Sequence, residues 1–230
     1  MREIVMDTET TGLDPNSGDR IVEIGAVELF NHMPTGKTYH QYINPQRDMP
    51  DGAFAVHGLS AEFLSDKPLF ADIAQAFLDF VGDSKMVIHN AAFDMKFLNA
   101  ELKWTERPEL PWAQALDTLA IARKKFPGAQ NSLDALCRRF GITTERELHG
   151  ALLDSEILAE VYLELIGGRQ PDFALSVVSN NDVTDSGAAD SWSPPERPNP
   201  LPTRLTDAES QAHKELVEKM GENAIWAQFK

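Results

Sequence analysis

The chain has 230 residues, 42% of them hydrophobic and 25% charged, enough for one well-buried domain with extensions or for two small domains. With 21 basic and 36 acidic residues its net charge is −15, which excludes broad electrostatic capture of nucleic acid, so metals, local contacts or a partner must handle any DNA or RNA phosphate. The single Cys137 excludes an intramolecular disulfide, and there is neither a signal-like apolar run at the N-terminus nor a window near membrane-span length; the expected location is a reducing cytoplasm.

Residues 3–6 form a short apolar run into Asp7 and read as a buried strand. Arg20 to Phe30 and Thr38 to Ile43 are two further β-rich runs, joined by the polar N-H-M-P-T-G-K stretch read as a turn, so an antiparallel meander is expected. The pattern then alternates. Ala71 to Phe80 has helical spacing, Met86 to His89 is a short strand, and Ala92 to Leu102 is helical, with Asn90 placed to cap it. Ala115 to Asp117 ends another strand and leads into a helix reaching Phe126. Asn131 to Phe140 and Leu152 to Ile166 complete the helices, with Ser132 or Asn131 as a cap and Gly141 as a stop. Cys137 sits inside the first of these as a small core residue, and Asp117 reads as structural. A meander followed by strand–helix alternation predicts an α/β domain with a mixed sheet.

Composition changes after about Gly168. Residues 171–200 are rich in Ser, Asn, Asp and Pro and lack an amphipathic period, the signature of a flexible linker. From residue 201 order returns. Thr206 and Glu209 have capping-box spacing, and Ala208, Ala212, Leu216 and Met220 make an apolar stripe, followed by Ile225, Trp226 and Phe229. A helix this short cannot bury such a stripe by itself. Residues 201–230 therefore read as a docking segment for another protein, with folding back on its own domain as the alternative.

Five residues invite a chemical reading. Asp7 and Glu9 lie two apart in D-T-E-T-T-G and point to one face of a strand. Such oxygen ligands suit Mg²⁺ or Mn²⁺, although D-x-E alone also describes a solvated acidic turn. Asp94 closes I-H-N-A-A-F-D in the first turn of a helix, where a carboxylate is favoured for electrostatic reasons alone. His149 and Asp154 are five apart, roughly 140° around a regular helix. His149 is thus expected before the helix or in its distorted first turn, off the face of Asp154. A histidine near neutral pKa can take a proton from water; a lone loop histidine is the plain alternative.

Taken together, Asp7-x-Glu9, Asp94 and His149-x-x-x-x-Asp154 resemble the histidine subclass of the DEDD exonuclease superfamily in order and spacing. D-T-E-T-T-G-L-D, V-E-I-G-A-V-E, V-H-G-L and I-H-N-A-A-F-D agree with it. The resemblance implies a ribonuclease-H-like fold, a mixed five-stranded sheet flanked by helices, over residues 1–170. N-S-L-D-A-L-C-R-R-F and L-H-G-A-L-L-D-S-E-I-L-A-E-V-Y-L resemble, more narrowly, the proofreading exonucleases of bacterial replicative DNA polymerases.

That resemblance implies 3′→5′ removal of nucleoside 5′-monophosphates. Two divalent cations, Mg²⁺ or Mn²⁺, about 3.5–4 Å apart, would be held by Asp7, Glu9, Asp94 and Asp154, with His149 as the base. It also implies that Thr8, Thr10, Gly12, His57, His89, Asn90 and Phe93 line the terminal-nucleotide pocket, Phe93 stacking on a base; a turn histidine at 57 and a core aromatic at 93 are the alternatives. Gln170, Phe173 and Leu175 resemble a short sliding-clamp-binding motif, and equally the tail of the preceding helix. Leu216, Met220, Ile225, Trp226 and Phe229 would hold the catalytic polymerase subunit. A mispaired DNA 3′ end melts more easily and would enter a narrow single-strand site first. A free-standing RNA-trimming nuclease of the superfamily and a non-catalytic metal-binding tether are the competing readings.

Overall fold

The computed structural model describes residues 1–143, 148–167 and 205–220. Two compact units, Met1–Ala174 and Leu175–Lys230, divide the chain. In the first, β1 (Arg2–Thr10), β2 (Ile21–Phe30), β3 (Met33–Tyr42), β4 (Lys85–Ile88) and β5 (Ala115–Asp117) form one sheet in the order β3-β2-β1-β4-β5. The β1–β2 and β2–β3 pairs are antiparallel; β1–β4 and β4–β5 are parallel. This is the mixed five-stranded sheet expected from the sequence.

The turn before β3 differs from expectation. It contains only Asn31 and His32, both with left-handed backbone (φ 49° and 64°), the geometry that matches the twist of a two-residue hairpin. The strand then runs through Met33, Pro34 and Gly36, which had read as loop. Pro34 is tolerated because β3 is an edge strand.

Helices cover both faces of the sheet. α1 (Asp51–His57) and α2 (Ala61–Leu64) were not foreseen; both are too short to show an amphipathic period. α3 (Phe70–Val81) and α4 (Ala91–Trp104) pack Phe70, Phe77, Phe97 and Leu98 with Ile4, Met6, Ile24 and Ile88. On the opposite face, α7 (Ala151–Ile166) sets Leu158, Ala159 and Tyr162 on Val5, Val27, Leu29 and Val87. α5 (Thr118–Lys125) and α6 (Leu133–Phe140) join α7 in a third cluster that includes the buried Cys137. Ser132, rather than Asn131, caps α6 by accepting from Ala135 N at 3.3 Å, and Gly141 closes it in a left-handed conformation.

The second unit is described over its helix, α8 (Asp207–Met220). The foreseen capping box is present, with Thr206 N donating to Glu209 Oε2 at 2.9 Å and Glu209 N donating to Thr206 Oγ1 at 3.3 Å. Leu216 and Met220 are exposed. Gln170, Phe173 and Leu175, the remainder of the expected linker, and Ile225, Trp226 and Phe229 lie outside the described residues.

Candidate active site

The acids gather where the chain leaves β1. Asp7 and Glu9 share one face of the strand, as the period of two requires. Asp7 stands opposite Gly25 and Glu9 opposite Glu23 on β2, and a register shift follows Glu9. Irregular pairing of this kind re-aims side chains beside active sites.

α7 brings Asp154 to this face because Gly25 has no side chain. A Cβ at Gly25 would lie 2.1 Å from Leu152 N and 2.2 Å from Ala151 C. Only glycine permits that approach of helix backbone to strand. Ser155 fixes the contact from the other side, its hydroxyl 2.9 Å from Gly25 O and 2.6 Å from Ala151 O. Neither residue was identified as a site determinant from sequence, although a glycine inside an apolar strand is a signal for close approach.

Asp94 enters from the first turn of α4 and is 2% exposed. Thr8 Oγ1 donates to its Oδ1 at 2.7 Å. Asn90 occupies the N-cap position but sits in the left-handed region (φ 66°), and its side chain makes no cap bond, contrary to expectation. Its N–H instead donates to Asp117 Oδ1 at 3.0 Å, and Asp117 also caps α5 through Leu119 N at 2.9 Å. Asp117 thus ties the two helix starts together.

His149 lies just before the Gly150 cap, ahead of the helix. It was expected off the face of Asp154, yet its Nδ1 is 2.9 Å from Asp154 Oδ2. The extended Gly150 (φ −155°, ψ 125°) lets the preceding residue meet the first helical turn, an option that regular helix spacing does not describe. His149 N also donates to Val56 O at 3.1 Å, which tethers the histidine to the end of α1. One ligand atom each from Glu9, His149 and Asp154 lie within 4.8 Å of one another.

The electrostatics mark a site built for a cation. Burial pushes the Asp7 carboxyl well above the usual carboxylate range, and repulsion from Asp94, Glu9 and Glu23 pushes it further. Burial likewise raises Asp94 to about 7, against the lowering effect of the Thr8 hydrogen bond. Carboxylates crowded in low dielectric favour protonation unless a positive charge joins them, so the donor set fits hard divalent ions. Glu23, 3% exposed and 2.7 Å from His40 Nε2, is an acid beside this cluster that sequence reasoning passed over.

Two cavities flank the first turn of α4. One, of about 490 Å³, is lined by Thr8, Glu9, Thr10, Gly12, Val56, His57 and Phe93 among others. It gathers five of the seven residues expected at the terminal nucleotide. His57 is buried; its Nδ1 accepts from Leu59 N at 3.1 Å, and its Nε2 has no hydrogen-bond partner among the described residues. Burial lowers its pKa, against the raising effect of the Thr10 backbone. His89 and Asn90 line a separate cavity of about 610 Å³.

Comparison with known proteins agrees with this geometry. The exonuclease family profile (RNase_T) matches residues 4–162. A Rickettsia felis protein named DNA polymerase III subunit epsilon is 56% identical over 192 residues, covering 80% of this chain and 84% of its own. The Escherichia coli K12 protein of that name is 42% identical over 237 residues, covering 98% of this chain and 97% of its own. Exonuclease X in complex with 5′-overhanging duplex DNA superposes with a TM-score of 0.56 at 28% identity, covering 72% of this chain and 90% of that one. The nuclease domain of 3′hExo, a DEDDh family member bound to rAMP, superposes at 0.63 with 19% identity, over 72% of this chain and 91% of that one, and shares the ribonuclease-H-like fold. With its sheet, its acid cluster and these relatives, the chain belongs to the exonuclease family and, within it, to the DNA polymerase III epsilon subunits.

Proposed function

We propose that the chain is the proofreading 3′→5′ exonuclease of a bacterial replicative DNA polymerase, hydrolysing single-stranded or mispaired DNA 3′ ends to nucleoside 5′-monophosphates in the cytoplasm. The observation that carries this reading is the convergence of Asp7, Glu9, Asp94, His149 and Asp154 beside a cavity of nucleotide size.

The family implies divalent metal ions, and Mg²⁺ or Mn²⁺ suit an all-carboxylate set. Asp7, Glu9, Asp94 and Asp154 would hold them. Bound there, such ions supply a more acidic attacking water and neutralise the charge that develops on the leaving 3′ oxygen. His149 is half-exposed and tethered through its backbone, and it accepts the proton of the attacking water. Thr8 orients Asp94 through its 2.7 Å hydrogen bond. Phe93 offers a face to the terminal base, and His57 Nε2 a donor to its sugar or phosphate. A pocket of about 490 Å³ is of the size to seat a single terminal nucleotide, and an end already unpaired would enter it without the cost of melting.

Asp7→Ala should abolish cleavage while the fold persists; substantial residual activity in Mg²⁺ would sink the role given to Asp7. The 4.8 Å cluster favours a second reading of His149, as a third ligand rather than a base. His149→Ala separates the two: loss of turnover with metal affinity kept supports the base, and loss of affinity supports the ligand.

Residues 201–230 would carry the polymerase contact, with exposed Leu216 and Met220 on α8 as part of it, and Gln170, Phe173 and Leu175 a sliding-clamp contact. Deleting 201–230 should leave nuclease activity intact and end co-purification with the polymerase subunit. Unchanged clamp capture by Gln170→Ala/Phe173→Ala would discard that motif.

A further inference from the structure

One short helix serves both halves of the site. α1 contributes Gly52, Ala53, Val56 and His57 to the wall of the 490 Å³ cavity, and its last turn also holds the chain that carries His149. The end of α1 is itself fixed. Gly58, left-handed at φ 71°, donates its N–H to Phe54 O at 2.7 Å, and Leu59 N donates to His57 Nδ1 at 3.1 Å. Val56 O is one of the carbonyls that a helix end leaves without an intrahelical partner; it accepts from His149 N at 3.1 Å.

Leu148 makes a second contact with the same turn. A Cβ at Gly58 would lie 2.6 Å from Leu148 Cδ1 and 3.8 Å from its Cγ, so the leucine methyl fills the space that the glycine leaves open. Leu148 is nevertheless 50% exposed, so core burial is not its role. It lies against α1 directly before the histidine.

The holds on His149 differ in kind. Its Nδ1 lies 2.9 Å from Asp154 Oδ2, but Asp154 is one of the carboxylates assigned to the cations, so that bond competes with metal holding. The Val56 bond and the Leu148 seat use main chain and methyl groups, on which a cation makes no demand. They fix the histidine backbone whatever Asp154 does, and a catalytic group needs such support to stay within a fraction of an ångström of its working place.

We propose that Leu148 is a positioning residue for the proton acceptor: seated over Gly58, it locks the main chain of His149 to α1, so the wall that receives the terminal nucleotide also sets the place of the imidazole. This rests on the exonuclease reading above and on His149 as the base.

The test is a double-mutant cycle over wild type, Leu148→Ala, His149→Ala and the pair, with a single-stranded oligonucleotide in Mg²⁺. Leu148→Ala should lose about 10-fold in kcat with KM little changed. In the His149→Ala background the same change should cost less than about twofold, since no imidazole is left to place. Calorimetric affinities of Leu148→Ala for Mn²⁺ and for thymidine 5′-monophosphate should stay within about twofold of wild type. Leu148→Met, which keeps a methyl-bearing chain over Gly58, should recover most of kcat. Hydrogen exchange at the His149 amide, followed by NMR, should quicken about 10-fold in Leu148→Ala as the Val56 bond opens more often; this readout decides the matter where the His149→Ala rate is too low to measure. Unchanged kcat or unchanged amide exchange in Leu148→Ala, a full loss that persists without the imidazole, or weakened Mn²⁺ or nucleotide binding would each overturn the proposal. The readings beneath it fail differently: His149→Ala turning over at the wild-type rate would sink the base, and a wild type that cleaves nothing would sink the exonuclease.

Discussion

Gly25→Ala is a one-methyl perturbation aimed at the assembly of the site. The new Cβ would sit 2.1, 2.2 and 2.3 Å from Leu152 N, Ala151 C and Leu152 Cα, where ordinary contact begins at 3.4 Å. All three atoms are backbone, so no rotamer change relieves the overlap. The first turn of α7 must retreat by about 1 Å, with Asp154 on it, and the 2.9 Å Ser155–Gly25 bond must lengthen. Overpacking of this kind costs about 1–3 kcal/mol, and a displacement near 1 Å in a catalytic group costs about 10²-fold in rate. The assay is kcat on a single-stranded oligonucleotide at saturating Mg²⁺, with circular dichroism to report the folded fraction. Ser155→Ala removes the bond without adding an atom and should lose less than 10-fold. A folded Gly25→Ala enzyme turning over at the wild-type rate would refute the argument that this close contact places Asp154.

Thr8→Val deletes the donor to Asp94; it should weaken metal affinity roughly 10-fold, the scale for partners that orient ligands, as read by calorimetric titration. Asp7 and Asp94 are both raised on folding, so in the metal-free protein the contribution of these two carboxyls to stability should be fully present below the unfolded carboxyl value of 3.8 and be lost as pH rises through about 7. Divalent metal should therefore raise Tm more at pH 8 than at pH 5; an equal rise at both would contradict the assignment. Glu101→Ala strands Arg20, now held at 2.7 and 2.8 Å by a carboxylate that also accepts from Ile21 N at 3.3 Å. Breaking that pair should cost about 3 kcal/mol, or roughly 6–12 °C in Tm for a domain of this size.

The parts legible in the sequence were those written locally. The D-x-E pair, the run before it and the capping box at Thr206 each sit within a few residues, so strand period and cap chemistry disclose them. α1 and α2 stayed hidden because seven and four residues give no helical stripe. The start of β3 stayed hidden because Pro34 and Gly36 break strands everywhere except at an edge, and edge position is a property of the finished sheet. His149 stands before the helix as its spacing implied, but its contact with Asp154 was hidden for a related reason: it depends on an extended Gly150, not on helix spacing. Gly25, Ser155 and Glu101 act across separations of 81 to 130 residues, which no local pattern encodes.

The central claim is a metal-dependent site that removes 3′ nucleotides from one strand and prefers ends that are already unpaired. Initial rates on a single strand, a duplex with a mispaired 3′ end and a fully paired duplex, in Mg²⁺ and in EDTA, test it most directly. The account predicts cleavage in Mg²⁺ only, with the single strand and the mispaired end degraded faster than the paired end. Equal rates on all three, or cleavage that persists in EDTA, would contradict it.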